Sequence, residues 1–201
     1  VPDLKNKLHH LLVDFPAEPM ASSYVFPNDM KSSPAGVYLY DKKNERQAMA
    51  LLTFPGVRRD DPDYYSLSIL NNIYGGGGFT SRLMSSLREK HGLTYGASSY
   101  LYSPDLFNGL ILSNFDIEAE NTKTALSLYL KEWERITTDL VLESELSVAK
   151  ENILTQYEKK FSTKEKLAFQ LAYDDMFGRD TTEYKNFHSR VHAVTRENVL
   201  Q

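Results

Sequence analysis

The sequence predicts an α+β fold in which helices cover one face of an antiparallel sheet. Two observations lead to this class. Runs of β-forming residues occur in pairs, one pair before and one pair after two helical segments, whereas everything after Ile117 carries only the helical period. With 201 residues, 41% of them hydrophobic, the chain is long enough to bury a core without a metal or a disulfide as a staple.

The composition excludes several classes of protein. A formal net charge of −4 argues against a nucleic-acid or anionic-membrane surface, and no run approaches the roughly 18 apolar residues of a membrane span. Cysteine is absent, which rules out disulfides and thiolate metal sites. The chain begins Val1-Pro2 without Met or a signal-like segment, so we expect a processed protein or a fragment, and no localisation is predicted.

The N-terminal residues predict a short helix and then a linker. Leucines recur at helical spacing between Asp3 and Val13, Asp3 suits the N-cap, and Pro16 ends the helix. Residues 14–35 hold four prolines and no apolar period, which is typical of an extended linker. The predicted organisation is therefore a helix at 1–13, a linker at 14–35 and an α+β domain at 36–201.

Two strands are predicted at the start of this domain. The runs Val37–Tyr40 and Gln47–Phe54 are rich in β-formers and flank the polar residues Lys42–Glu45, which indicates an antiparallel pair. The second run is apolar on both faces, so we expect it to be a central strand.

Two helices follow this pair. The residues Asp60–Asp63 combine a cap, a helix-starting proline and first-turn acids, which predicts a helix that reaches Tyr74. Four glycines come next, and either Thr80 or Ser81 can cap a second helix that stops at Gly92.

The rest of the chain is predicted to hold two strands and then helices. Alternation indicates strands at Thr94–Tyr102 and Asn108–Ile117. Apolar residues then recur at helical spacing in four segments, carried by Leu126 to Ile136, Leu146 to Phe161, Leu167 to Met176 and Tyr184 to Val191. Residues Thr195–Val199 resemble the opening of one more helix, so we expect the domain to be incomplete at its C-terminus.

The glycine run Gly75, Gly76, Gly77 and Gly78 is a candidate phosphate cradle, because glycine amides before a helix N-terminus can bind anions. It lacks the Lys-Ser/Thr ending of a Walker loop, has Ser81 where a dinucleotide fingerprint needs Gly, and follows a helix. A hinge between two helices is therefore the favoured interpretation, and a phosphate-binding module stays as an alternative.

Other polar groups form no predicted site. His188 and His192 are four apart on a helix, but no Glu stands between them and no third ligand is suggested nearby. The acids Glu143, Glu145, Glu151, Asp174 and Asp175 have no matching base in the sequence, so they are interpreted as solvated helix surface.

Arg88 and Tyr95 are the candidate binding residues. Arg88 lies late in the second helix and Tyr95 just past its turn, so we expect them near one another at an element junction. The residues alone leave a simpler alternative open, in which Arg88 pairs with Glu89 or another acid and Tyr95 only packs.

The stretch from Gly76 to Tyr95 resembles the C-terminal, non-catalytic domain of the pitrilysin/insulinase family of zinc peptidases. In that family a glycine-rich turn runs into three short motifs, which here are Ser81-Arg82-Leu83, Leu87-Arg88-Glu89 and Gly92-Leu93-Thr94-Tyr95. The resemblance extends more weakly from the Gln47 strand to the helix start at Val194-Thr195, and so covers most of the chain. The family domain continues to a further strand, which implies that the last helix and strand are missing here.

The resemblance implies a role in substrate binding. Arg88 and Tyr95 have the spacing of the family's substrate-holding pair, with Gly75 to Gly78, Ser81 and Arg82 as the supporting loop. The family's catalytic half binds zinc through His-x-x-Glu-His, a motif that this sequence lacks. We therefore expect no metal and no peptidase activity in this chain alone, zinc in a partner half or subunit, and a peptide as substrate. A peptidase-like scaffold that has lost catalysis is the alternative, and whether the chain is part of an active enzyme stays open.

Overall fold

A computed structural model describes residues 2–14, 35–179 and 182–200. Three antiparallel strands form one sheet: β1 (Gln47–Pro55), β2 (Ala97–Tyr102) and β3 (Leu110–Glu118). Their spatial order is β1-β3-β2, because both outer strands pair with β3. The predicted α+β class, with helices on one face of an antiparallel sheet, is confirmed.

Helices make up most of the remaining described chain. The α-helices are α1 (Pro2–Leu12), α2 (Tyr64–Asn71), α3 (Thr122–Thr138), α4 (Glu143–Lys159), α5 (Lys164–Met176), α6 (Thr182–Ala193) and α7 (Arg196–Leu200). Two π-helical segments, Asn72–Gly76 and Met84–Lys90, and two 3₁₀ turns, Gly78–Thr80 and Ala119–Asn121, complete the list. None of the helices in the described ranges combines the length and the apolar character needed to cross a bilayer.

The core lies between the helices and the inner face of the sheet. Alternation along β3 places Ile111, Phe115 and Ile117 on this face, each 1% exposed. The ring of Phe54, on the inner face of β1, stacks on Trp133 of α3 with 3.7 Å between ring centroids. The predicted apolar faces of β3 and α3 therefore meet, and they provide the rigid support on which the glycine-rich connection rests.

The structure contradicts the predicted first strand pair. Residues Val37–Tyr40 form no strand, and their side chains are between 87% and 97% exposed. The predicted turn is present, with Asn44 in the left-handed region and Lys42 paired with Glu45. A β-forming run needs a partner strand and a buried face, and this run has neither in the structure.

The expected central position of Gln47–Phe54 is also wrong. This run forms β1, which pairs only with β3 and is an edge strand of the described sheet. One of its faces packs on the core, while Met49 and Leu51 on the other face are 72% and 60% exposed. Apolar residues on both faces did not mean burial of both faces.

The four helices predicted after the last strand are present as α3, α4, α5 and α6. Helix α5 is followed by Gly178, whose φ of +63° is the left-handed conformation that glycine favours after a helix. Its apolar residues Leu167, Leu171 and Met176 are nevertheless exposed. The predicted linker at 14–35 lies almost wholly outside the described residues, and the proposed domain boundaries stay predictions.

Candidate functional site

The glycine run is a closely packed connection. Gly75 and Gly76 belong to the π-helical segment that continues α2. A Cβ on Gly75 would lie 2.6 Å from the Ser99 Oγ of β2 and 2.9 Å from Leu83 Cδ1, so only glycine lets this segment approach the sheet. Gly78 has open space around it but a φ of +63°, so its glycine serves the backbone turn.

Two backbone amides of the connection from Gly75 to Ser81 already donate hydrogen bonds within the chain. The Gly77 N–H donates to the Asn72 carbonyl at 2.8 Å, and the Ser81 N–H donates to the Gly78 carbonyl at 3.1 Å. A phosphate cradle needs such amides free to point at the anion. The geometry therefore does not favour the phosphate-binding alternative.

Ser81 starts the second helix of the motif. Its hydroxyl is fully buried, donates to the Gly78 carbonyl at 2.7 Å and accepts the Met84 N–H at 3.4 Å. Thr80, the other candidate cap, instead donates to the Gly77 carbonyl. The helix that follows runs over 82–90 and ends in the π-helical segment Met84–Lys90. Ser81 thus sets where this helix begins.

Arg82 fastens the motif to α4. Its guanidinium donates two hydrogen bonds to the Glu145 carboxylate, at 2.7 and 2.8 Å, and only 9% of the Arg82 side chain is exposed. Glu145 also accepts the Leu142 N–H at 2.8 Å, at the start of α4. Burial raises the pKa of Glu145, but the bonds from Arg82 and from the Leu142 amide together hold it below the ordinary value of a glutamate.

This pairing corrects the interpretation of Glu145 as a solvated surface acid. Glu145 lies three residues after Leu142 and accepts its N–H, but the apolar Leu142 side chain cannot complete a capping box, so the sequence carried no local signal for this contact. The partner was not visible in the sequence, since Arg82 lies 63 residues away.

Asp174 was also wrongly interpreted as solvated. It is 7% exposed and accepts a hydrogen bond from Arg179 at 3.0 Å, as well as bonds from Gln170 and the Tyr184 hydroxyl. Arg179 in turn pairs with Asp105 in the connection between β2 and β3. This polar cluster fastens α5 to its surroundings, whereas the apolar residues of that helix stay exposed.

Arg88 lies half-buried in the segment Met84–Lys90. The centre of its guanidinium lies 4.8 Å from the centroid of the Phe79 ring, a cation–π contact. Within the described part of the chain, the Arg88 guanidinium makes no hydrogen bond and no ion pair. The alternative in which Arg88 pairs with Glu89 or another acid is thus not what the structure contains, and Phe79 is a contact that the sequence did not suggest.

Tyr95 projects from the turn that leads into β2. Gly92, with φ +61°, donates its N–H to the Arg88 carbonyl at the helix end. Thr94 is buried, and its Oγ1 both donates to the Gly96 carbonyl at 2.8 Å and accepts the Gly96 N–H at 3.1 Å. The residue between them, Tyr95, is 90% exposed, so the turn presents it instead of packing it.

The Arg88 guanidinium and the Tyr95 hydroxyl therefore both have hydrogen-bond donors without an acceptor in the described chain. Arg88 lies in the segment that ends at Lys90, and Tyr95 lies in the connection from that segment to β2. Over residues 2–14, 35–179 and 182–200 no hydrogen bond joins them, and the Tyr95 hydroxyl has no partner. Their shared property is availability to a molecule that approaches from outside.

The described residues offer no zinc site. Within the described ranges, no group of three or more His, Cys, Asp or Glu residues is placed to hold a metal. Helix α2 carries only Tyr, Ser, Leu, Ile and Asn, none of which is a usual zinc ligand. His188 Nε2 lies 3.8 Å from a Glu158 carboxylate oxygen, and both side chains are largely exposed.

The fold and the site define a peptidase-like domain whose described part offers no set of metal ligands. The chain belongs to the family of the peptidase M16 inactive domain, whose model matches residues 3–153. This match confirms the family resemblance drawn from the stretch between Gly76 and Tyr95.

Individual relatives agree with this assignment. The chain is 26% identical over 141 residues to YmfF of Bacillus subtilis, which is named a probable inactive metalloprotease. The aligned residues are 70% of this chain and 32% of YmfF. It is 42% identical over 64 residues to an uncharacterized zinc protease, SCO5738, of Streptomyces coelicolor, covering 32% of this chain and 14% of that protein. A crystal structure of a peptidase M16 inactive domain from Pseudomonas fluorescens superposes with a TM-score of 0.70 at 30% identity, covering 78% of this chain and 36% of that one. The chain thus spans about a third or less of the length of these proteins.

Proposed function

We propose that this chain is the substrate-holding, non-catalytic part of a zinc metallopeptidase. It aligns a peptide for cleavage by a catalytic half or subunit that carries His-x-x-Glu-His. The observation that carries the proposal is the pair of unused donors, because Arg88 and Tyr95 stand at one connection without an internal acceptor in the described chain. Membership of the peptidase M16 inactive domain family supports it.

Each residue of the pair has a role that its chemistry suits. The Arg88 guanidinium donates to a peptide carbonyl or carboxylate, for which its planar fork of donors is well shaped. The Tyr95 hydroxyl donates near the scissile carbonyl, where negative charge develops in the transition state. In this proposal zinc and the activated water belong to the partner half, because the described residues of this chain include no group placed to hold a metal.

The residues around Arg88 and Tyr95 hold the two in fixed positions, which suits a role in holding substrate. Ser81 caps the helix, Arg82 fastens it to Glu145 of α4, and the buried Thr94 holds the turn that presents Tyr95. Substrate-holding groups are effective when their neighbours keep them in place before the substrate arrives.

Reconstitution tests the proposal. The catalytic half is purified alone and in complex with this chain, and hydrolysis of an internally quenched casein-derived peptide is followed with zinc present. We expect the complex to cleave the peptide and the catalytic half alone to cleave it at least about tenfold more slowly, because positioning and a charge-stabilising donor are lost. Equal rates would contradict the proposal.

A catalytically inactive scaffold is the second candidate, and the relative YmfF, whose printed name is that of a probable inactive metalloprotease, favours it. In that case the complex with an M16 partner forms, but it cleaves no peptide at any zinc concentration. Substitutions at Arg88 and Tyr95 then change neither turnover nor assembly.

A further inference from the structure

We propose that Phe79 is a positioning residue for Arg88. Its aromatic ring holds the guanidinium at the substrate-facing side of the helix while leaving the guanidinium N–H groups free for the peptide. The geometric part of this inference stands on the structure, and its consequence for substrate binding rests on the proposed function.

Phe79 is held out of the core by its turn. It lies in the 3₁₀ turn Gly78–Thr80, and 67% of it is exposed. Two hydrogen bonds hold this turn: the Thr80 hydroxyl donates to the Gly77 carbonyl at 3.0 Å, and the Ser81 hydroxyl donates to the Gly78 carbonyl at 2.7 Å. A phenylalanine with this much exposure contributes little to the core, and its ring contacts the Arg88 guanidinium instead.

The contact suits a binding arginine better than an ion pair does. The face of an aromatic ring attracts a guanidinium through its quadrupole and takes none of its five donors. Arg82, six residues earlier, shows the opposite case, because two of its nitrogens donate to Glu145. The Arg82 guanidinium thus uses its N–H donors within the fold, whereas the Arg88 guanidinium contacts a ring and keeps its N–H donors free for a ligand.

Ordering Arg88 before the peptide arrives lowers the entropy that binding must remove. A cation–π contact at an exposed site changes an equilibrium by about two- to fivefold. We therefore expect loss of the Phe79 ring to raise KM for the peptide by about two- to fivefold, with little change in kcat.

The geometric part is tested by NMR on this 201-residue chain. The side-chain protons of Arg88 are expected upfield of those of Arg58, because the Arg88 guanidinium lies 4.8 Å from the Phe79 ring centroid whereas Arg58 pairs with a carboxylate. Arg59 and Arg179 are not used as references, because each lies over a tyrosine ring. Phe79→Leu removes the shift, Phe79→Tyr keeps it, and Phe169→Leu, which removes a similarly exposed ring on α5, leaves it unchanged. An Arg88 spectrum that does not respond to Phe79→Leu overturns the inference.

The functional part is tested in the complex with the catalytic half, using the casein-derived peptide. Phe79→Leu is expected to raise KM in the wild-type background but to have no further effect in an Arg88→Gln background, and Phe79→Tyr restores the wild-type KM. Equal effects of Phe79→Leu in both backgrounds overturn the positioning role. If Arg88→Gln itself leaves KM and kcat unchanged, the proposed function fails, and the NMR shift still decides whether Phe79 holds Arg88.

Discussion

Removing the Arg82 side chain is the sharpest test of how the motif is fastened to the helical layer. In Arg82→Leu, Glu145 keeps its bond from the Leu142 amide but loses both bonds from the guanidinium. The two side chains are 9% and 23% exposed, so water replaces the lost partner only in part. Breaking a fully buried pair costs about 3–5 kcal/mol, and the partial exposure of Glu145 lowers our expectation to about 2–3 kcal/mol.

Thermal unfolding measures this cost. In a chain of this length, each kcal/mol shifts Tm by about 2–4 °C, so we expect a fall of about 4–12 °C at pH 7 for Arg82→Leu. Arg58→Leu is the matched control, because Arg58 pairs with Asp60 in an exposed pair whose side chains are 42% and 66% exposed. That control is expected to lose less than about 1 kcal/mol.

The pH dependence has a definite sign. The folded-state pKa of Glu145 lies below its ordinary value, so the ionised carboxylate stabilises the fold most above an ordinary pKa of 4.5. This contribution disappears as the pH falls through the lowered folded-state pKa. The difference in stability between wild type and Arg82→Leu therefore shrinks in acid. A loss below about 0.5 kcal/mol at pH 7, or a difference that does not change with pH, would refute the reasoning.

Two further predictions concern the glycine connection and helix α5. Gly75→Ala is expected to lower the free energy of unfolding by about 3 kcal/mol or more, because its Cβ would lie 2.7 Å from the Ser99 backbone nitrogen. Gly78→Ala is expected to lower it by only about 1–2 kcal/mol, the cost of a positive φ. Urea unfolding that ranks the two variants in the opposite order contradicts the packing account. Asp174→Asn is expected to weaken the hydrogen bond between residue 174 and Arg179, and so to speed limited proteolysis within α5. An unchanged cleavage rate would mean that the polar cluster does not hold this helix in place.

The features that the sequence predicted well are those with a local cause. Ser81, one of the two candidate helix caps, and Gly92, the predicted helix end, depend on the conformational preferences of single residues, and the structure has them in place. The alternation over Asn108–Ile117 likewise predicted a strand, and β3 forms there. Local chemistry therefore predicted the elements and the connection that carries Arg88 and Tyr95.

The features that the sequence did not predict depend on distant partners. The run Val37–Tyr40 has strand-forming residues but no neighbour in the described sheet, so propensity alone was misleading. Glu145 and Asp174 were interpreted as solvated because their bases lie elsewhere in the chain or past a turn. The contact between Phe79 and Arg88 was not predicted, because the two residues come together only when the turn and the helix have folded.

The central claim is that Tyr95 holds the peptide where charge develops during cleavage by a partner half. Steady-state kinetics of the complex carrying Tyr95→Phe test it most directly, with Tyr38→Phe as the control, because the two tyrosines are 90% and 89% exposed. We expect Tyr95→Phe to lower kcat by about two orders of magnitude, corresponding to about 3 kcal/mol, with a smaller change in KM, and the control to match wild type. A kcat for Tyr95→Phe equal to that of wild type would contradict the account.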